Sequence, residues 1–398
     1  MGAASASQAA WVQTWGASPE PPSAARGPFP ATPGFHDQTL RQLVRISAGG
    51  HRVRVRLTNE YGTAPLAIGA AHIAIAGEGG AIRAGTDHVL TFGGATSATI
   101  PAGSPLLSDP VDLDAPALAR LDVSLYLPGD TGPCTCHSTS MQVGWAAGPG
   151  DQTAAAALTD PAKLQPRAFL AGVEVDSAKP AKAIVVLGDS ISDGVGSTSD
   201  ANRRWPDHLA ERLAKRGGMA FGVVNEGISG NRLLHDGAGV SALARLDRDV
   251  LATPGAAYLI VFEGVNDLGL SSLPPEMAKL FGNAAGPVSA DDLIAADKQI
   301  IARAHAHGLK VLGATIAPYK GASYWSADGE AKRTAINAWI RDGHAFDGVI
   351  DFDSVLRDPA DPAQMRAGFH AGDHLHGSDA GYRAMADAID LRLFGAGR

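Results

Sequence analysis

Four stretches of this chain place chemically capable residues where strands or turns end. Directly after the apolar run at residues 183–187 stands Gly188-Asp189-Ser190-Ile191-Ser192-Asp193-Gly194. A glycine at a strand exit permits a tight turn. A serine placed there exposes its hydroxyl above the sheet while its own N–H points toward a bound oxyanion. Ser190 is therefore a candidate nucleophile; the competing reading is a helix cap, a job Ser and Asp do routinely. Two later strand ends run into Asn225-Glu-Gly227-Ile-Ser-Gly-Asn231 and Glu263-Gly-Val-Asn266-Asp267. Gly227 lets its N–H approach a ligand closely, and the Asn266 amide is a neutral donor that does not titrate. Each also reads as an ordinary structural residue, Gly227 at a helix entry and Asn266 in a turn. Near the C-terminus, Asp373 and His376 stand three apart in Gly372-Asp-His-Leu-His-Gly377, a spacing that lets a carboxylate orient an imidazole and stabilise its protonated form. His374 is the adjacent rival, with its side chain expected to point away from that pair. A metal reading would join His374 and His376 to Cys134, Cys136 and His137, but no zinc-type spacing supports it. Gly188, Gly194 and Gly196 likewise fail the dinucleotide-binding spacing.

These residues need elements to hold them. From residue 183 onward the pattern repeats strand, loop and helix. Strands are expected at 183–187, 221–225, 257–262, 309–315 and 349–352, with helices at 205–216, 242–251, 291–306, 330–342 and 379–394. Alternation of this kind implies a parallel sheet covered by helices on both faces, with the active site outside the carboxyl ends of the strands. Before residue 178 the period is two. Val53, Val55 and Leu57 alternate with Arg52, Arg54 and Arg56, and residues 43–58 read as a hairpin around Gly49-Gly50; Leu121, Val123, Leu125 and Leu127 repeat the alternation. The three arginines read as a solvated face or as a grip for an acidic ligand. The expected organisation is an all-β, jelly-roll-like sandwich at 1–178, a polar connector at 176–182, and an α/β domain at 179–398.

At 398 residues, with 48 glycines and 25 prolines, the chain is long enough for two domains rich in turns. The net charge of −8 and the lack of a long Lys/Arg run argue against nucleic acid or an anionic membrane surface as partner. No apolar run approaches the roughly 20 residues that span a bilayer. The small-residue start resembles the surroundings of a signal-peptidase cut, so a secreted or periplasmic chain is expected. Cys134 and Cys136 alone do not fix the compartment, because a bridge between residues two apart closes a very small ring; they read as loop cysteines without a catalytic role.

Taken together and in this order, Gly-Asp-Ser190, Gly227, Gly-Val-Asn266-Asp and Asp373-x-x-His376 resemble the blocks of the SGNH, or GDSL, hydrolase superfamily. Trp11-Val-Gln-Thr-Trp15, Asn59-Glu-Tyr-Gly-Thr-Ala-Pro65, Asp351-Phe-Asp353 and Asp358-Pro359 resemble a secreted two-domain esterase subfamily related to enzymes encoded with xylan-degrading genes. The resemblance implies a flavodoxin-like hydrolase domain, Ser190 as nucleophile, His376 as general base and acid, Asp373 as its orienting partner, and an oxyanion hole from Ser190 N–H, Gly227 N–H and Asn266. It implies carboxylic ester hydrolysis through an acyl-enzyme, with a short acyl group on a sugar or aryl alcohol and with neither cofactor nor metal. The subfamily often has proline where this chain has Gly377, a departure expected to loosen that loop and leave the triad intact. The alternatives are a long-chain lipase or thioesterase, and a non-catalytic carbohydrate-binding protein. Residues 271–289, with Pro274, Pro275, Met277, Leu280 and Phe281, are a candidate roof over the site, and Tyr319, Tyr324 and Trp325 are candidates to stack on a sugar or aryl ring.

Overall fold

The computed structural model describes residues 11–25, 30–177, 179–271, 273 and 286–395. Its N-terminal part is built from antiparallel sheets. One orders Trp11–Gly16, Leu170–Asp176, Gly50–Asn59 and Ser104–Leu107, with Val111–Ala115 also on Gly50–Asn59; another orders Ala162–Leu164, Gly144–Ala147, Gln38–Arg45, Arg120–Leu127, Ala70–Ile75 and His88–Val89. Val53, Val55, Leu57, Leu121, Val123, Leu125 and Leu127 are all fully buried, as their alternation requires.

The hairpin expected over residues 43–58 does not form. Gln38–Arg45 and Gly50–Asn59 lie in different sheets, because the segment between them crosses the layer instead of turning back. Buried Ile46 and Ala48 anchor the crossing, and Thr14 Oγ1 donates to Ala48 O at 2.9 Å. The arginine row is neither free nor a ligand grip. Arg52 pairs with Asp176 and Arg54 with Glu174 on the adjoining strand, Arg56 pairs with Glu60, and the Arg54 guanidinium lies 4.2 Å over the Trp11 ring.

The second part of the chain holds five parallel strands, Ala181–Gly188, Ala220–Gly227, Ala256–Phe262, Lys310–Ala314 and Gly348–Ile350, arranged second, first, third, fourth, fifth. This is the flavodoxin-like order, whose switch point lies beside the first strand. Helix Trp205–Arg216 packs with Asp379–Ala388, and Ala290–Ala306 packs with Ala327–Asp342, forming two groups. Two expected helices are shorter than their apolar patterns. Residues 242–251 divide into an α-turn, Ala242–Leu246, and a wider π-turn, Asp247–Leu251. The last helix stops at Ala388, where Ile389 turns extended, gives its carbonyl to Arg212 (2.9 Å), and leaves Asp390 to cap a separate turn, Leu391–Phe394.

Arg245, fully buried, ties the strand ends together. Its guanidinium donates to Gly188 O (3.0 Å) and Glu226 O (2.5 Å), to Asn231 Oδ1 (3.1 Å), and to the carboxylates of Asp249 (2.9 Å) and Glu263 (3.4 Å). Burial pushes the Glu226 and Glu263 carboxyls well up. Burial also acts to raise Asp249, but Arg248, Arg245 and the Ser18 hydroxyl hold it low, so it is the resident anion of the cluster.

The antiparallel sheets are bolted to this α/β part by polar contacts. Ser18 Oγ donates to Asp249 Oδ2 (2.6 Å), Arg248 donates to Tyr61 Oη (2.6 Å), and Val223 N–H donates to Ser47 Oγ (2.7 Å). His137 lies 3.0 Å from Asp193 Oδ1. Burial opposes charge on His137, yet Asp193 and Glu20 outweigh it and push the ring up to about 9.

Two outcomes follow from these buried charges. Arg245→Met leaves Asp249 short of a partner and strips the strand-end carbonyls, and removing one member of a buried pair costs about 3–5 kcal/mol. Urea unfolding followed by circular dichroism should show a loss of that order; a loss below about 1 kcal/mol would contradict the role given to Arg245. For His137, an unfolded pKa of about 6.5 and a raised folded one mean that its stabilisation is complete below about pH 6.5 and is lost as pH rises through about 9. The thermal midpoint should therefore fall more steeply on the alkaline side for the parent than for His137→Gln, and equal slopes would remove His137 as the cause.

Candidate active site

Ser190 opens a single-turn helix, Ser190–Asp193, at the exit of the first parallel strand. The cap is Asp189, whose Oδ1 accepts the Ile191 N–H at 2.8 Å, so the Ser190 hydroxyl is free for other work. Burial pushes the Asp189 carboxyl up to about 7. Ser190 Oγ lies 2.8 Å from His376 Nε2, and His376 Nδ1 lies 2.6 Å from Asp373 Oδ2. Asp373 Oδ1 accepts the N–H groups of Leu375 and His376, both at 3.0 Å. Burial alone would raise the Asp373 carboxyl, but the His376 ring and these two amides hold it well below the usual carboxylate range. With the proton of Nδ1 directed at the carboxylate, Nε2 presents its lone pair to the Ser190 hydroxyl.

The loop bearing His376 is tightly packed. Gly377 is not a loosening substitution, since a Cβ there would sit 2.8 Å from the Tyr382 ring; one on Gly196 would meet Gly377 O at 2.7 Å. The Ala371 N–H also donates to His376 O at 2.8 Å. His374 turns away from the triad, with φ of 61°, and stacks on His370 at 4.2 Å between ring centroids. Cys134 and Cys136 are disulfide-bonded to each other, which removes both thiolates from any metal set.

Of the three expected oxyanion donors, the structure gives Gly227 different work. Its N–H donates to Asn225 Oδ1 at 3.1 Å, and a Cβ would lie 2.6 Å from Asp193 N, so this glycine is required by the close approach of strand and short helix. Gly230 sits in the next turn, closed by Asn231 N–H on Ile228 O at 3.0 Å, at a φ of 80° that favours glycine. Its neighbours bracket the site. Ser229 Oγ donates to Asp193 Oδ2 at 2.6 Å, and Asn231 O accepts from Asn266 Nδ2 at 2.9 Å. Among the described residues neither Ser190 N–H nor Gly230 N–H has a hydrogen-bond acceptor. The sequence holds one hint of this, since a Ser-Gly-Asn turn needs a positive φ that a strand-end glycine does not.

Asn266 is buried, and its amide orientation is set at both ends, with Nδ2 on Asn231 O and Oδ1 accepting from Tyr324 Oη at 3.1 Å. Tyr324 therefore braces Asn266 instead of offering a stacking face. Tyr319 is fully buried and packs edge-on to it at 5.9 Å, while Trp325 is partly buried with Lys320 5.9 Å from its ring. The roof expected at 271–289 lies mostly outside the described residues, Pro274, Pro275, Met277, Leu280 and Phe281 among them.

Comparison with known proteins agrees with this part of the chain. Residues 184–389 match the family GDSL-like Lipase/Acylhydrolase. No curated protein matches. Among solved structures, a carbohydrate acetylesterase family member from Sinorhizobium meliloti is 17% identical with a TM-score of 0.41, covering 54% of this chain and 100% of that one. The M. smegmatis aryl esterase is 18% identical with a TM-score of 0.39, covering 52% and 95%. A lipase/acylhydrolase from Enterococcus faecalis is 19% identical with a TM-score of 0.37, covering 52% and 93%. With more than half of its length matched, the chain belongs to the GDSL-like lipase/acylhydrolase family and is an ester-hydrolysing enzyme.

Proposed function

We propose that the protein hydrolyses carboxylic esters by a two-step serine mechanism, with Ser190 as nucleophile, His376 as base and then acid, and Asp373 as the group that orients the imidazole. The reading rests on the continuous hydrogen-bond chain Asp373, His376, Ser190 at 2.6 and 2.8 Å. His376 Nε2 takes the Ser190 proton as Oγ bonds to the ester carbonyl carbon, and the carbonyl electron pair moves onto oxygen. The intermediate collapses, the C–O bond to the alcohol breaks, and the alkoxide leaves with the proton from His376. Water then attacks the acyl-Ser190, giving its proton to His376, which returns it to Oγ as the carboxylic acid departs. Asp373 stays ionised throughout, in keeping with its lowered pKa.

The oxyanion donors in this reading are the N–H groups of Ser190 and Gly230 and the second N–H of the Asn266 amide. All three are neutral, and the two backbone donors have no competing acceptor among the described residues. The groups around this turn, Ser229, Gly230, Asn231, Asn266 and Asp189, are small or polar, which favours a short acyl group, such as acetyl on a sugar or aryl alcohol, over a long alkyl chain. The Cys134 and Cys136 disulfide favours an oxidising compartment, secreted or periplasmic. Among the described residues no helix is long and apolar enough to cross a membrane.

We further propose that residues 1–178, as a jelly-roll-like unit, and residues 179–398 are two domains that do not function apart, because Ser47, Tyr61 and His137 all bond across the boundary.

On a series of nitrophenyl esters, Ser190→Ala should lose all turnover above buffer while keeping its circular dichroism, and the parent should prefer two- to four-carbon acyl groups. Asn266→Ala should lose about 10²–10³ in kcat with KM changed only a few-fold, as removal of one oxyanion donor does, and should melt lower because the Tyr324 and Asn231 contacts go too. Retained turnover in Ser190→Ala, or activity rising toward long acyl chains, would overturn the corresponding part of the reading. A chain beginning at residue 179 should be insoluble or inactive, and a soluble, fully active fragment would show the domains to be independent.

A further inference from the structure

A loop of the N-terminal sheets ends against the helix that Ser190 opens. The short strand Cys136–His137, paired with Arg167–Ala168 and bridged to Cys134, presents a His137 ring that is 5% exposed. Among the described residues every polar partner of the ring is an acceptor. Nε2 lies 3.0 Å from Asp193 Oδ1 and 3.0 Å from Thr139 O; Nδ1 lies 3.0 Å from Ser18 O and 3.6 Å from Glu20 Oε1. A neutral imidazole has one N–H and leaves one side facing an acceptor with a lone pair. The doubly protonated ring serves both sides.

Asp193 passes this contact on. It is buried, it closes the one-turn helix that begins at Ser190, and its Oδ2 receives the Ser229 hydroxyl at 2.6 Å, one residue before Gly230. One carboxylate thus joins the N-terminal sheets, the Ser190 helix and the 228–231 turn. An unpaired carboxylate at this depth, near Asp189 and with Arg204 as the further charge acting on it, would draw in water or move outward. Either response shifts the helix relative to the turn.

We infer that His137 is a positioning residue for ester hydrolysis: paired with Asp193, it holds the Ser190 helix and the Ser229–Gly230 turn in register, so that the N-terminal sheets take part in setting up the catalytic step. This rests on the roles proposed above for Ser190 and Gly230. Displacements of about 1 Å between reacting groups cost up to about 100-fold in rate. The effect should appear in kcat, because substrate still reaches the site.

The test uses the full-length chain and measures steady-state hydrolysis of nitrophenyl acetate together with the rate at which a fluorophosphonate labels the serine. His137→Gln and Asp193→Asn should each lose about tenfold or more in kcat and in labelling rate with KM within about threefold. The double variant should lose no more than the worse single variant, since both break one relay. Ser229→Ala should show a smaller loss of the same kind, again with KM within about threefold. His137→Gln within about twofold of the parent, or losses that multiply in the double variant, would overturn the inference. If His137→Gln does not fold, Ser229→Ala decides: an unchanged kcat overturns the inference and a KM-neutral drop supports it. Ser190→Ala separates the two layers, because turnover surviving there removes the Ser190 reading itself, whereas an inactive Ser190→Ala beside normal His137→Gln and Ser229→Ala removes only the positioning role.

Discussion

A single buried guanidinium, that of Arg245, holds the end of the parallel sheet on which everything else stands. The carboxyl ends of parallel strands are where ligands bind, and they are also where backbone carbonyls run out of ladder partners. Arg245 meets both facts by bonding to the carbonyls of Gly188 and Glu226 and to the side chain of Asn231 from one planar group. Gly188 leads directly to Ser190, Glu226 leads to the Ser229–Gly230 turn, and Asn231 O receives the Asn266 amide. The planar fork of arginine makes this possible; a lysine has the charge but not the spread of donors. Burial pushes the Glu226 and Glu263 carboxyls well up, whereas Arg248 and Arg245 together hold Asp249 low.

The joint between the antiparallel and parallel parts is made of the same material. Apolar contact alone would let two large surfaces slide, whereas hydrogen bonds to buried acceptors fix direction. Ser47 bonds an amide of the second parallel strand, Ser18 and Arg248 share Asp249, and Tyr61 accepts from Arg248. Ser47 grips the middle of that strand, while Asp249 bonds Arg245, which holds the strand ends, and His137 bonds Asp193, so the orientation of the N-terminal sheets and that of the Ser190 helix are set by shared residues.

How much of this could be read from the chain depends on the range of the interaction. The parallel strands, the helix at 205–216 and the positions of Ser190, Asp373 and His376 follow from local patterns, because burial on two faces and turn chemistry leave marks within a few residues. The crossing at 43–58 reads as a hairpin in the sequence, since a glycine pair looks the same whether the chain turns back or crosses a layer. Gly227 stands at the strand end and so reads as the donor, whereas the unbonded N–H belongs to Gly230 in the turn that follows, and the contacts of Gly227 with Asn225 and Asp193 are what show the difference. Arg245 and His137 left no local mark, as their partners lie far along the chain or in the other sheets. Helix ends at 246 and 388 leave no mark in the sequence because apolar spacing continues past the point where Asp247 and Ile389 take other geometry.

The pairing of the first described strand has a consequence for how the protein is made. Among the described residues Trp11–Gly16 finds its sheet partner only in Leu170–Asp176, with Trp11 opposite Asp176, and it also packs against Ala220–Gly227. During synthesis the N-terminal segment therefore emerges long before either neighbour exists, carrying Val12 and Trp15, which are buried in the finished fold. Contacts so distant in sequence form slowly, and unpaired strands invite association in the interval. The antiparallel part cannot close as an early, self-contained unit: it must wait for its last strand, and its outer seam is completed only as the first turns of the hydrolase sheet arrive.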